Sequence, residues 1–186
     1  MNSPGGHIVF EQPGDVWFFA YGSLMWDPGF THEEVRPALL RGYHRAFCVR
    51  SEVYRGTPAR PGLSLGLDRG GSCRGLAFRV AERNRDTAAT YLEERELIEA
   101  IYFCRRIELT SAEGQFEAYA FIVNRHHKIY APKQPIDAMA RIIAGASGGA
   151  GKNTEYLKNT VIHMDELGVA DGALHELLRR VERVSG

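Results

Sequence analysis

A chain of 186 residues can bury one substantial core but is short for two, and 44% hydrophobic with 25% charged residues is the make-up of an ordinary soluble globular protein. Lys plus Arg and Asp plus Glu both number 23, so there is no net field to gather nucleic acid or anionic membrane, and a small-molecule ligand is the first expectation. Cys48, Cys73 and Cys104 are too few and too widely spaced for a disulfide framework or a CxxC metal site, and they read as reduced thiols of a cytoplasmic protein.

The opening MNSPGGHIVFEQPGD has no positive stretch before an apolar core, and no run approaches the roughly 18 apolar residues of a membrane span. Residues 1–14 read as a flexible leader, and 15–186 as a single domain. Val16 to Tyr21 read as a buried strand, being aromatic, β-branched and too short for a helix. That strand runs into Gly22 and Ser23, where two readings stay open: a tight turn or bulge, and a loop whose N–H groups grip an anion.

Up to Val80 the chain alternates short apolar runs (LRGYHRAFCV, LSLGL, CRGLAFRV) with loops at DPGF and RGTPARPG, the pattern of strands and turns. The period then changes. Asp86 is placed to cap a helix through TAATYLEERELIEA, rich in strong helix formers. QFEAYAFIVN alternates like a further strand. Helices are expected over Pro135 to Ala144, Thr154 to Leu167 and Gly172 to Val184, with Asn153 and Asp171 as caps and Gly168 just past an end. Strands first, one helix among them and helices last make an α+β domain.

On a 100° helical wheel Glu96 shares the direction of Ala88, Ala89 and Leu92, while Glu93 and Glu94 fall away from that stripe. A carboxylate on an apolar face is either paired, with Arg105 or Arg106 as the nearby candidates, or raised in pKa toward values useful for proton transfer. GASGGAGKNT departs from a phosphate loop at Ala146 and Asn153 and follows a helix, so it reads as a mobile glycine-rich loop before the next helix. His126 and His127 would face opposite sides of a strand, and His163 and His175 have no ligand spacing; no metal and no cofactor are expected. Ser23 lacks a GxSxG frame, and no cysteine has a readable histidine partner.

Four blocks, in order from Val16 to Val169, carry a resemblance: FFAYGSLMW, YRGTPARPG, YLEERE and GKNTEYLKNTVIHMDELGV. Together they resemble the ChaC-like γ-glutamylcyclotransferases that act on glutathione. The resemblance implies a compact mixed β-barrel with flanking helices, and cleavage of glutathione into 5-oxoproline and cysteinylglycine without hydrolysis. It also implies that Tyr21, Gly22, Ser23 and Leu24 hold the glutamyl end and that Glu96, after Arg95, is the catalytic general acid/base. Where the family pattern has a Gly before a Tyr-Arg pair, this chain reads LIEAIYF, with Tyr102 at the tyrosine position. Tyr156 falls in the last block, as a pocket wall or as helix packing. The alternatives are a cyclotransferase for other γ-glutamyl amides or peptides and a non-catalytic regulator of cation transport. The sequence leaves the oligomeric state open.

Overall fold

The computed structural model describes residues 7–97 and 100–186. Five strands close into a barrel in the order β1-β3-β2-β4-β5: β1 (Val16–Ala20), β2 (Glu34–Ser51), β3 (Gly62–Val80), β4 (Tyr102–Ser111) and β5 (Gly114–Val123). The helices are α1 (Glu82–Leu92), α2 (Ile136–Gly145), α3 (Asn153–Glu166) and α4 (Gly172–Ser185), and a short hairpin pairs β6 (Ser147–Gly148) with β7 (Gly151–Lys152). Chain contacts divide into two compact units, residues 1–46 with 66–128 and residues 47–65 with 129–186.

In the first unit β1 runs antiparallel to β3, Val16 opposite Val80 and Ala20 opposite Leu76, and meets β5 in parallel at Phe18 and Tyr119. Phe19, Leu40, Leu67, Ala77, Leu109, Ala120 and Ile122 fill the core. Each large apolar side chain buried there contributes roughly 1.5–3 kcal/mol relative to exposure. The sequence has no expected strand at 102–111, yet β4 pairs with β5 from Tyr102 opposite Val123 to Ser111 opposite Gly114. Along β4 only Cys104 and Leu109 are fully buried, five positions apart, so an apolar alternation never develops there.

Residues 7–14, expected as the end of a loose leader, lie against this unit; residues 1–6 are outside the described chain. Ile8 is buried, Phe10 meets Tyr119 and Phe18 edge-on, and Arg106 pairs with Glu11 at 2.8 Å. Helix α1 starts at Glu82 after Ala81, four residues before the expected Asp86 cap, and Asp86 sits inside the helix. After Leu92 the chain widens into a π-turn, Glu93–Leu97, a form that concentrates at functional sites. It is followed by Ala100, whose φ of 54° is the one left-handed non-glycine among the described residues.

In the second unit α4 packs on α2 and α3 through Leu174, Leu177 and Val181. The glycine-rich segment is a docked hairpin: the Gly149 and Ala150 amides donate to the Val53 and Tyr54 carbonyls at 2.8 and 2.9 Å. A Cβ on Gly148 would collide with the backbone of Gly56 and Val53. Asn153 is the first residue of α3 and not its cap; wholly buried, it accepts from the Leu63 amide at 2.7 Å and donates to the Leu63 carbonyl at 2.8 Å. Asp171 does cap α4, accepting from the Leu174 amide.

Left-handed backbone costs a non-glycine residue roughly 1–2 kcal/mol, partly offset by the extra unfolded-state freedom of glycine, so Ala100→Gly should stabilise by about 0.5–1 kcal/mol, read as a higher Tm. A lower Tm would contradict the strain. Asn153→Ala strips both Leu63 backbone groups of their partners and should lower the urea-unfolding free energy by about 2–4 kcal/mol; a loss under about 0.5 kcal/mol would show that other groups satisfy them.

Candidate active site

Strand β1 buries Phe18, Phe19 and Ala20 and delivers the chain to Tyr21, whose ring belongs to the barrel core. Arg45, itself only 6% exposed, donates from Nε to the Tyr21 carbonyl and from Nη2 to the Arg74 carbonyl at 2.6 Å. A buried cation holding the Tyr21 carbonyl, just past β1, together with a carbonyl inside β3 fixes where the turn begins. Gly22 then adopts φ −138°, outside the left-handed region, and leads into a single 3₁₀ turn, Ser23–Met25. The Met25 amide donates to the Gly22 carbonyl, and the Trp26 and Asp27 amides to the Ser23 carbonyl. The first N–H groups of such a turn have no partner within it. Leu24 and Met25 are buried, and Gly22 and Ser23 are half-exposed.

The π-turn brings the acid to this place. Glu96 has a side chain only 16% exposed, and burial pushes its carboxyl above the usual carboxylate range, opposed by the positive charge of Arg95. The inward direction given by the helical wheel is thus reached by another route, because the α-helical period ends at Leu92. The ion partner is Arg95, with Nε 3.5 Å from Glu96 Oε1. Neither arginine expected from the sequence takes that part: Arg106 pairs with Glu11 and Glu117, and the Arg105 guanidinium lies over the Phe103 ring. Glu93 turns away to receive the Ile8 amide and to meet His7 at 2.9 Å.

Arg95 also ties the two segments together. Its Nη2 donates to Ser23 Oγ at 2.9 Å, across 72 positions of sequence, and its Nη1 donates to the Asp27 carbonyl at 2.9 Å and to the Tyr91 hydroxyl at 2.8 Å. The chain past Asp27 is seated by Gly29, with φ +73°, where a Cβ would overlap the Tyr91 hydroxyl. The sequence reading missed Tyr91 and Asp27 and gave Arg95 no task. The available signal was the i, i+4 spacing of Tyr91 and Arg95, which puts both on one helix face.

Tyr102 opens β4 opposite Val123 in the same unit and is half-buried. Tyr156 lies on α3 in the second unit, its ring edge-on to Phe47 at 5.7 Å and 5.0 Å from the Arg55 guanidinium carbon. Cys104 is buried, and that burial, with Glu93 nearby, pushes its thiol up to about 12, so it stays protonated and is no nucleophile. Chemically, the first unit offers a shielded carboxylate of raised pKa linked through Arg95 to a half-exposed turn that carries the Ser23 hydroxyl. That set suits proton transfer next to a bound anion.

The chain is 37% identical over 172 residues to the glutathione-specific γ-glutamylcyclotransferase of Escherichia coli K12, covering 92% of this chain and 74% of that protein. It is 29% identical to γ-glutamylcyclotransferase 2-3 of Arabidopsis thaliana, covering 91% and 89%. The fold superposes on the crystal structure of the yeast γ-glutamylcyclotransferase specific to glutathione with a TM-score of 0.81 at 20% identity, covering 91% of this chain and 96% of that one. The profile of the ChaC-like proteins matches residues 16–184, and the chain belongs to that family.

Proposed function

We propose that this protein is a glutathione-specific γ-glutamylcyclotransferase in which Glu96 moves the proton and the Tyr21–Leu24 segment holds the glutamyl end. The observation that carries the reading is the convergence, through Arg95, of the Ser23 hydroxyl with the shielded Glu96 carboxyl. It is supported by the names and identities of the relatives in E. coli and Arabidopsis.

A γ-glutamyl group carries its α-amine and α-carboxylate at one end and the scissile amide two methylenes away. Folded back, the amine nitrogen attacks the γ-carbonyl carbon, the bond from that carbon to the cysteinyl nitrogen breaks, and a five-membered lactam closes. The nucleophile belongs to the substrate, so holding it in a near-attack geometry supplies several kcal/mol of the barrier, and no water is consumed. An α-amine has a pKa of about 7.7–8, so a base beside it must take its proton. Glu96 takes that proton and returns it to the departing cysteinyl nitrogen. The amides of Gly22, Ser23 and Leu24 receive the α-carboxylate or the developing oxyanion, and the Tyr21 ring anchors the segment in the core. Tyr102, which opens β4 in the same unit, is taken as a further substrate contact, and Tyr156, on α3 of the second unit, keeps its two readings as pocket wall or helix packing. The buried thiols of Cys48, Cys73 and Cys104 accord with a reducing, cytoplasmic setting.

Incubation with glutathione in H₂¹⁸O is the direct test. The expected products are 5-oxoproline and cysteinylglycine with no ¹⁸O in the 5-oxoproline; glutamate carrying ¹⁸O would mean hydrolysis. A panel of other γ-glutamyl amides should show lower kcat/KM, and equal rates across it would count against glutathione specificity.

Glu96→Gln should lower kcat by about 10²–10⁴. The same change separates catalysis from folding. A carboxyl whose pKa is raised on folding contributes stability that is fully present below its ordinary value of 4.5 and is lost as pH rises through the folded value. Glutamine mimics the protonated form, so Glu96→Gln should match the parent's Tm near pH 4 and exceed it increasingly at higher pH. A variant less stable than the parent at pH 7 would contradict the buried, raised carboxyl.

A further inference from the structure

We propose that Arg95 is a positioning residue that makes the Ser23 hydroxyl a hydrogen-bond donor to the substrate and clamps the early turn to the π-turn carrying Glu96. The identity of the substrate rests on the cyclotransferase reading; the clamp rests on this structure alone.

A guanidinium has donors and no acceptor, so where Arg95 Nη2 meets Ser23 Oγ at 2.9 Å the serine oxygen accepts. The serine proton is then directed elsewhere, and accepting from a cation polarises the O–H bond and makes it the stronger donor. A nucleophilic serine needs the reverse arrangement, a base that removes its proton. Ser23 thus contributes a hydrogen bond to an anionic or developing-anionic oxygen. Arg95 is in turn immobilised by the Asp27 carbonyl and by Tyr91, whose hydroxyl is roofed by Gly29. Its reach to Glu96, 3.5 Å from Nε to Oε1, is a charge contact and not a two-pronged ion pair, so the carboxylate stays available as a base. The charge acting on Glu96 is that of Arg95; of the other acids of the π-turn, Glu93 is engaged by His7 and Ile8, and Glu94 is exposed.

The test compares the parent with Arg95→Gln, Arg95→Lys, Ser23→Ala and the Arg95→Gln/Ser23→Ala double variant, by 5-oxoproline formation and by amide hydrogen exchange over residues 22–27. Arg95→Gln and Ser23→Ala should each lower kcat/KM about 10–100-fold, and the double variant should fall no more than about threefold below the weaker single, because one residue acts through the other. Arg95→Lys, lacking the planar fork, should recover less than tenfold. The acid limb of the kcat/KM profile should move to higher pH in Arg95→Gln, since the charge that opposes burial at Glu96 is gone, and exchange over 22–27 should speed up. Multiplicative losses in the double variant, or an Arg95→Gln protein with parental kcat/KM and an unmoved acid limb, would overturn the proposal. If the parent forms no 5-oxoproline the cyclotransferase reading falls by itself. Exchange then decides the clamp: faster in Arg95→Gln upholds it, and unchanged overturns it.

Discussion

A planar cation shared by two distant segments is the constraint on which the site depends. Arg95 offers its donors to Ser23 Oγ, the Asp27 carbonyl and the Tyr91 hydroxyl while remaining beside Glu96. Lysine, with a single ammonium on a flexible stem, could not hold three such partners in one plane. Three features of the first unit position that guanidinium and its acceptors. The barrel core fixes the end of β1, the buried Arg45 fixes the carbonyl of Tyr21, and the widened turn after Leu92 re-aims the helix.

The π-turn holds the shielded carboxylate next to a compensating charge. Beyond Leu92 the regular spacing of Ala88, Ala89 and Leu92 gives way to the wider turn, in which Arg95 reaches Ser23 Oγ and keeps its Nε 3.5 Å from Glu96 Oε1. The site has local strain as well: Ala100 takes a left-handed conformation just before β4. Strain and a carboxylate of raised pKa both work against stability, and both lie within a few residues of the proposed chemistry. Such clustering is what a pre-organised site leads one to expect.

Much of this was legible in the residues themselves. The aromatic run of β1, the break at Gly22-Ser23, the three C-terminal helices and the Asp171 cap are local signals, and local signals survive into the fold. What escaped depends on partners remote in sequence. β4 is a strand because β5 pairs with it, although its own burial pattern hardly alternates. Asn153 looks like a helix cap but spends its amide on Leu63, 90 positions away, and the glycine-rich stretch looks mobile but is pinned to Val53 and Tyr54. The direction of Glu96 was readable from helical spacing, yet the period that delivers it was not, nor was the choice of Arg95 over Arg105 or Arg106 as its ion partner.

In the proposed reaction the carboxyl of residue 96 and the turn at 22–24 hold the same folded-back glutamyl group. A crystal structure of the Glu96→Gln protein with glutathione tests this most directly, because the substrate should bind without turning over. The glutamyl α-amine is expected within hydrogen-bond distance of the side chain at position 96, and the α-carboxylate or γ-carbonyl oxygen on the amides of Gly22, Ser23 or Leu24. Glutathione bound in an extended form, with its amine away from position 96, would contradict it.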